Sequence, residues 1–128
     1  MAISIHDEQF FGATPEQVYE ALMDSDQHAN FTGSIADISR EVGGSFSAHN
    51  GYITGINVQL IPNERIVQAW RAMSWADGEF SIVRYQIIPD GVGTKLILNH
   101  TGFPEGNKES LASGWAAHYW EPMRAYFG

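Results

Sequence analysis

The chain has 128 residues, the length of one ordinary domain, and its composition, 44% hydrophobic and 17% charged, is that of a globular protein without disordered tracts. Fifteen Asp and Glu against seven scattered Lys and Arg leave a formal charge of −8, which excludes nucleic acid and anionic membrane as expected partners. Cysteine is absent, so disulfides, thiolate nucleophiles and thiolate metal ligands are excluded, and no run approaches the ~20 apolar residues of a membrane span.

Residues 2–10 alternate loosely through Ile3, Ile5 and Phe10, which predicts an opening strand broken near Gly12. ATPEQVYEALMDS then carries the signals of a helix start: Thr14 as N-cap, Pro15 at the first helical position and Gln17 three residues after the cap. A second short helix is expected over 26–31, ending at Thr32 and Gly33. Glycine and Asn turns at Gly43-Gly44, Gly51, Pro62-Asn63, Asp77-Gly78 and Asp90-Gly91 divide the next stretch into strands near 35–39, 45–49, 52–61, 64–73, 79–88 and 93–101. TGFPEGNKES reads as a loop, and a closing helix runs from 107 or 108 to 126. Without alternating crossover units, this order predicts an α+β fold over a single domain, 1–128. Its antiparallel sheet has the helices on one side and one face covered by the last helix.

At 100° per residue, Leu111, Trp115, Tyr119, Pro122 and Tyr126 share one sector of that helix, bordered by Gly114 and His118 on one side and Met123 on the other. Trp120 falls nearly opposite, where it either packs on a neighbouring loop or faces a partner. Gly114 and Pro122 cost about 1 and about 3 kcal/mol against alanine in a helix interior. Their expected compensation is a close helix-to-sheet approach at Gly114 and a bend near Pro122. Such a bend can open a cavity lined by Trp115, His118, Tyr119 and Pro122. Sheet parity supplies the opposite wall. With Lys95 toward solvent, Thr94, Leu96, Leu98 and His100 share the other face. On the preceding strand Phe80, Ile82, Arg84, Gln86 and Ile88 form one row. If that row faces inward, Arg84 needs a carboxylate, a carbonyl array or a ligand anion; if Val83, Tyr85 and Ile87 face inward, Arg84 is a surface charge.

EVGGSFSAHNGYITG lacks the patterns of phosphate loops, and its glycines mark hairpin turns. His49, Asn50 and Tyr52 read as turn residues, with the rim of a cavity as the alternative. The histidines at 6, 28, 49, 100 and 118 form no HxH or HExxH pair, so no metal site is expected. His118 has the chemistry of a general acid or base, but GxSxG is absent, and Ser45, Ser47, Ser81 and Ser113 show no base partner in sequence. In AWRAMSWADGEF, Trp70, Met73 and Trp75 either form an exposed patch for a partner or close the core at a sheet end, and Trp70 is also a cavity candidate.

FTGSIADISREVGGSFSAHNGYITG, IVQAWR, and TGFPEG leading to GWAAHYWEPMRAYF together resemble the Aha-type domain, named for homology to the activator of the Hsp90 chaperone ATPase, within the START-like, Bet-v-one-like superfamily. The resemblance implies a helix-grip fold, a curved antiparallel sheet of about six or seven strands around a long carboxy-terminal helix, in which relatives commonly enclose an apolar cavity. Gly43, Gly44, Phe46, Gly51, Gly55, Trp70, Arg71, Gly114, Trp115 and Trp120 match as fold-defining positions, so no catalytic set is implied. In the eukaryotic co-chaperone a separate amino-terminal domain makes major chaperone contacts, and nothing comparable precedes the opening strand, so full ATPase activation is not expected. The leading expectation is a noncatalytic, cytoplasmic domain that binds a small apolar or aromatic ligand between sheet and helix, without cofactor or metal. A chaperone-associated interaction domain is the alternative, a cyclase-like or hydrolytic enzyme the third reading, and a homodimer is compatible with each.

Overall fold

Thr14 Oγ1 accepts the Gln17 N–H at 3.1 Å while Gln17 Oε1 accepts the Thr14 N–H at 2.8 Å, the reciprocal cap expected from the sequence. These bonds start α1 (Pro15–Met23) in the computed structural model, which describes residues 4–127. Asp24 closes α1 and caps α2 (Ser25–Thr32) by accepting the Gln27 N–H at 3.0 Å, and Gly33 ends α2 in the left-handed region at φ 75°.

Seven strands follow the predicted order: β1 (Ser4–Phe11), β2 (Asp37–Ile38), β3 (Ser45–Ala48), β4 (Ile53–Ile61), β5 (Arg65–Ala72), β6 (Ser81–Asp90) and β7 (Gly93–Thr101). They form one antiparallel sheet ordered β1-β7-β6-β5-β4-β3-β2. Residues 2 and 3 of the expected opening strand lie outside the described residues. The strand expected over 35–39 shortens because the backbone N–H of Ile35 donates to Asn50 Oδ1 at 2.8 Å and its carbonyl accepts the Asn50 N–H at 3.0 Å, so both groups are spent on a turn. The strand expected from 79 starts at Ser81, since Glu79 accepts the Ala76 N–H at 3.0 Å and holds the turn together. Gly55 is obligatory for a packing reason: a Cβ there would lie 1.9 Å from the Ala69 carbonyl oxygen and 2.6 Å from the Phe46 ring.

Parity decides which side chains reach the core. Ser81, Val83, Tyr85 and Ile87 of β6 and Thr94, Leu96, Leu98 and His100 of β7 are buried under the helices. The row of Phe80, Ile82, Arg84 and Ile88 faces outward, which corrects Phe80 and Arg84 as cavity candidates. Register makes this unavoidable, because Val83 pairs with His100 and Tyr85 with Leu98, and turning Arg84 inward would expel all four.

The carboxy-terminal arm departs from uniform pitch. α3 (Lys108–Trp115) passes through a π-helical turn over Ala116–Trp120 into α4 (Glu121–Phe127). In that turn the Glu121 N–H bonds to the Ala116 carbonyl, and the next residue, Pro122, has no N–H to continue the ladder. The bend expected at Pro122 is therefore a widened turn ahead of it. Widening rephases the helix: Trp120 comes below Trp115, with ring centroids 5.6 Å apart at 18°, and is buried. Its indole N–H donates to Asp7 Oδ2 at 2.9 Å. Trp120, which a uniform pitch sets nearly opposite the apolar sector, is thereby brought into the core. Tyr126, expected inside, is exposed and donates to Gln27 Oε1 at 3.1 Å, while Phe127 packs 5.7 Å from Phe11.

Candidate functional site

Between α3, the π-turn and the β4–β5 end of the sheet lies a cleft of about 440 Å³. Trp70 and Ile53 come from the sheet, Trp75 from the β5–β6 connection, and Leu111, Trp115 and Tyr119 from the arm. Trp70 packs against Trp75 at 5.7 Å and against Trp115 at 6.0 Å, so two sides of the cleft are continuous aromatic wall. Deeper, between Tyr119, Tyr85 and Ile66, only about 10 Å³ remains. The opening is thus at one end of the helix–sheet interface and does not run its length.

Of the cavity candidates singled out in the sequence, Trp70, Trp115, His118 and Tyr119 line the cleft, and of the turn residues His49 and Tyr52 reach its rim while Asn50 does not. Leu98 and His100 are fully buried in the packed core behind it, Pro122 is half-buried further along the arm, and Phe80 and Arg84 are on the outer face. A close helix-to-sheet approach does not explain Gly114: a Cβ there would meet only His118 Cδ2, at 3.9 Å, and Gly114 borders the open cleft instead. Trp70, Trp75 and Trp120 are 5%, 8% and 2% exposed, so they close the core and form no partner patch. Met73, at 64%, is the exposed member of that segment.

The polar end of the cleft is a hydrogen-bond chain. Tyr119 Oη lies 3.0 Å from His28 Nε2 and 3.2 Å from His49 Nε2. His28 Nδ1 is buried without a partner among the described residues. A bare lone pair costs less there than a stranded N–H, so the proton of His28 sits on Nε2 and is donated to Tyr119 Oη. The tyrosine hydroxyl must then donate to His49 Nε2, which leaves the His49 proton on Nδ1. Burial, then His49, lowers the His28 pKa to about 4; burial, then His118, lowers that of His49; burial pushes the Tyr119 hydroxyl far above its ordinary value. All three are therefore neutral at pH 7. His28 escaped the sequence reading, although its spacing three residues before Phe31 on a short helix marks the buried side.

A second chain lies behind the cleft. Ser81 Oγ is 2.7 Å from His100 Nε2, the distance of a nucleophile and its base. The protonation pattern forbids that role. Trp115 Nε1–H can only donate, and it does so to His100 Nδ1 at 3.1 Å, so the neutral ring carries its proton on Nε2 and donates it to Ser81. Ser81 Oγ–H in turn donates to the Trp70 carbonyl at 3.0 Å. Burial lowers the His100 pKa to about 4, in keeping with a ring that cannot accept a second proton without losing Trp115. The chain is a brace tying β5, β6, β7 and α3 together. Among the described residues no three His, Asp or Glu are grouped to hold a metal ion, and no helix is long and apolar enough to cross a membrane.

The family model described as Activator of Hsp90 ATPase homolog 1-like protein matches residues 12–128. The chain is 29% identical over 118 residues to the human Activator of 90 kDa heat shock protein ATPase homolog 1, covering 92% of this chain and 35% of that protein. It is 30% identical over 118 residues to the Dictyostelium discoideum homolog, covering 91% and 31%. It thus spans about a third of the length of these curated relatives. Among solved structures, an HSP90 activator from Plasmodium falciparum superposes with a TM-score of 0.87 at 27% identity, over 98% of this chain and 95% of that one. The Aha1 dimer from Colwellia psychrerythraea shares the fold at TM-score 0.84 and 17% identity, over 98% and 96%. With the strand order, the gripping arm and the matched model in agreement, the chain belongs to the family of Activator of Hsp90 ATPase homolog 1-like proteins.

Proposed function

We propose that this domain binds a small apolar or aromatic molecule in the cleft between the sheet and the carboxy-terminal arm. The observation that carries the reading is the cleft itself: about 440 Å³, within the range of small-molecule sites, kept open between three tryptophans, Tyr119 and Leu111 while the interior behind it is filled. Gly114 supports it, because alanine at that position would gain helix propensity without a clash, yet the side chain is absent where the cleft needs room. The site needs no catalytic group, since His28 and His100 are held neutral and each donates its single proton inside the protein.

Titration calorimetry with naphthalenemethanol, a neutral aromatic probe, tests this directly. Saturable binding is expected in the wild type and in Gly114→Ala, and loss of binding in Gly114→Leu, whose side chain would occupy the cleft. Absence of binding in the wild type, or unchanged binding in Gly114→Leu, rejects the reading.

Engagement of an Hsp90-type chaperone is the second reading, favoured by the similarity to the Plasmodium falciparum HSP90 activator over nearly all of both chains. The outer sheet face, with Ile56, Phe80 and Ile82 exposed, supplies an apolar surface for it. Homodimerisation, the state named for the Colwellia psychrerythraea protein, is the competing use of that surface. The chaperone reading is tested by the chaperone's ATPase rate and co-sedimentation with the domain; no change in either rejects it, and native mass spectrometry reads the dimer.

A further inference from the structure

The cleft belongs to an acidic protein, yet none of its fifteen Asp and Glu lines it, nor does any Lys or Arg. The basic side chains of the lining are the imidazoles of His49 and His118. Their rings are 5.5 Å apart, one on the β3–β4 turn and the other on the π-turn. The hydrogen-bond chain from His28 through Tyr119 leaves His49 with an N–H on Nδ1, a donor with no partner among the described residues.

The backbone fixes where the His49 ring stands. Its φ of 53° lies in the left-handed region, as do those of Asn50 (59°) and Gly51 (87°). Such a conformation is uncommon outside glycine, and asparagine and histidine are among the residues that adopt it most often. Two hydrogen bonds between Asn50 and Ile35, at 2.8 and 3.0 Å, are the clamp.

Resting on the cleft-binding reading above, we propose that the ligand is a planar aromatic carboxylate, its rings against Trp75 and Trp115 and its carboxylate on the imidazoles of His49 and His118. Chemical complementarity selects this occupant, because two imidazoles in a lining without Asp or Glu suit an anion better than an amine. The net charge of −8 opposes the approach of an anion from a distance, but salt screens that field over about 8 Å, leaving the imidazoles as the decisive neighbours. The titratable groups facing His49 are His28 from α2 and His118 and Tyr119 from the arm, with Tyr52 the remaining titratable member of the lining. In the free protein burial and His118 hold His49 below its ordinary pKa. A bound carboxylate reverses the second effect, so binding draws a proton in and strengthens as pH falls toward 6.

Calorimetry of naphthoate against naphthalenemethanol separates this proposal from the reading beneath it. Naphthoate stays ionised throughout and is expected to bind about tenfold more tightly than the neutral probe near about pH 6, the advantage shrinking to about threefold or less near about pH 8. Titration in buffers of different ionisation heat is expected to show proton uptake with naphthoate only. His49→Asn, which suits the left-handed turn, combined with His118→Gln at an exposed position, is expected to erase the preference, read as the ratio of the two probes' affinities within the same variant. Equal affinities at the lower pH, or a preference that survives in the double variant, overturn the proposal while sparing the cleft reading. Failure of both probes to bind the wild type overturns both.

Discussion

Tyr119 holds one hydroxyl between two imidazoles, and that arrangement makes it a structural residue as well as part of the cleft wall. Tyr119→Phe keeps the ring and removes the oxygen, leaving His28 with no partner for either nitrogen. The expected loss is about 1–3 kcal/mol, the penalty for a stranded buried polar group, seen as a lower urea midpoint with an unchanged slope. A midpoint within error of wild type would mean that water replaces the hydroxyl. His118 was visible in the sequence as a polar residue bordering the aromatic sector, and His49 as a turn residue with the rim as its alternative. What no spacing could show is that His28, 91 residues before Tyr119 along the chain, meets the same oxygen. Ser81 and His100 make the converse case: the pair has the distance of a catalytic dyad, and only the Trp115 N–H reveals that the proton is on the wrong nitrogen.

The arm is where regular periodicity misleads. A helix of uniform pitch puts Trp120 toward solvent, where replacement costs within about 0.5 kcal/mol. The π-turn puts it under Trp115 with its N–H on Asp7, so Trp120→Ala is expected to cost about 3–5 kcal/mol, as for a buried tryptophan. Thermal or urea unfolding reads the difference, and a cost under about 1 kcal/mol would contradict the widened turn. Pro122 was legible as a disturbance, because a missing N–H is a local fact. Its consequence was not, because whether a helix bends or widens depends on which option buries more surface against β1 and the sheet. The short helices and most hairpins were legible to within a residue or two, since caps and turns are satisfied by neighbours in sequence, as at Thr14 and Gly33.

At the scale of the molecule, His28 and His100 sit on two sides of the core with folded pKa values lowered to about 4 by burial, against about 6.5 when unfolded. The unfolded chain therefore binds more protons between these values. Their contribution is fully present above about pH 6.5 and is lost as pH falls toward about 4, on the order of 3 kcal/mol for each histidine. The urea midpoint is expected to fall steeply over that window, and His100→Asn to flatten the fall even though it lowers stability throughout. An unaltered slope in that variant would show that His100 is not the group titrating. Element order, the antiparallel meander and the gripping helix followed from the sequence alone, because hydrophobic period, turn chemistry and caps are local and the family resemblance adds their order. Which face of β6 is buried, how the arm is phased, and that a cleft survives at one end of it were decided only by tertiary structure. Each depends on register between strands far apart in the chain and on competition among bulky rings for one interior, and neither is written in any single segment.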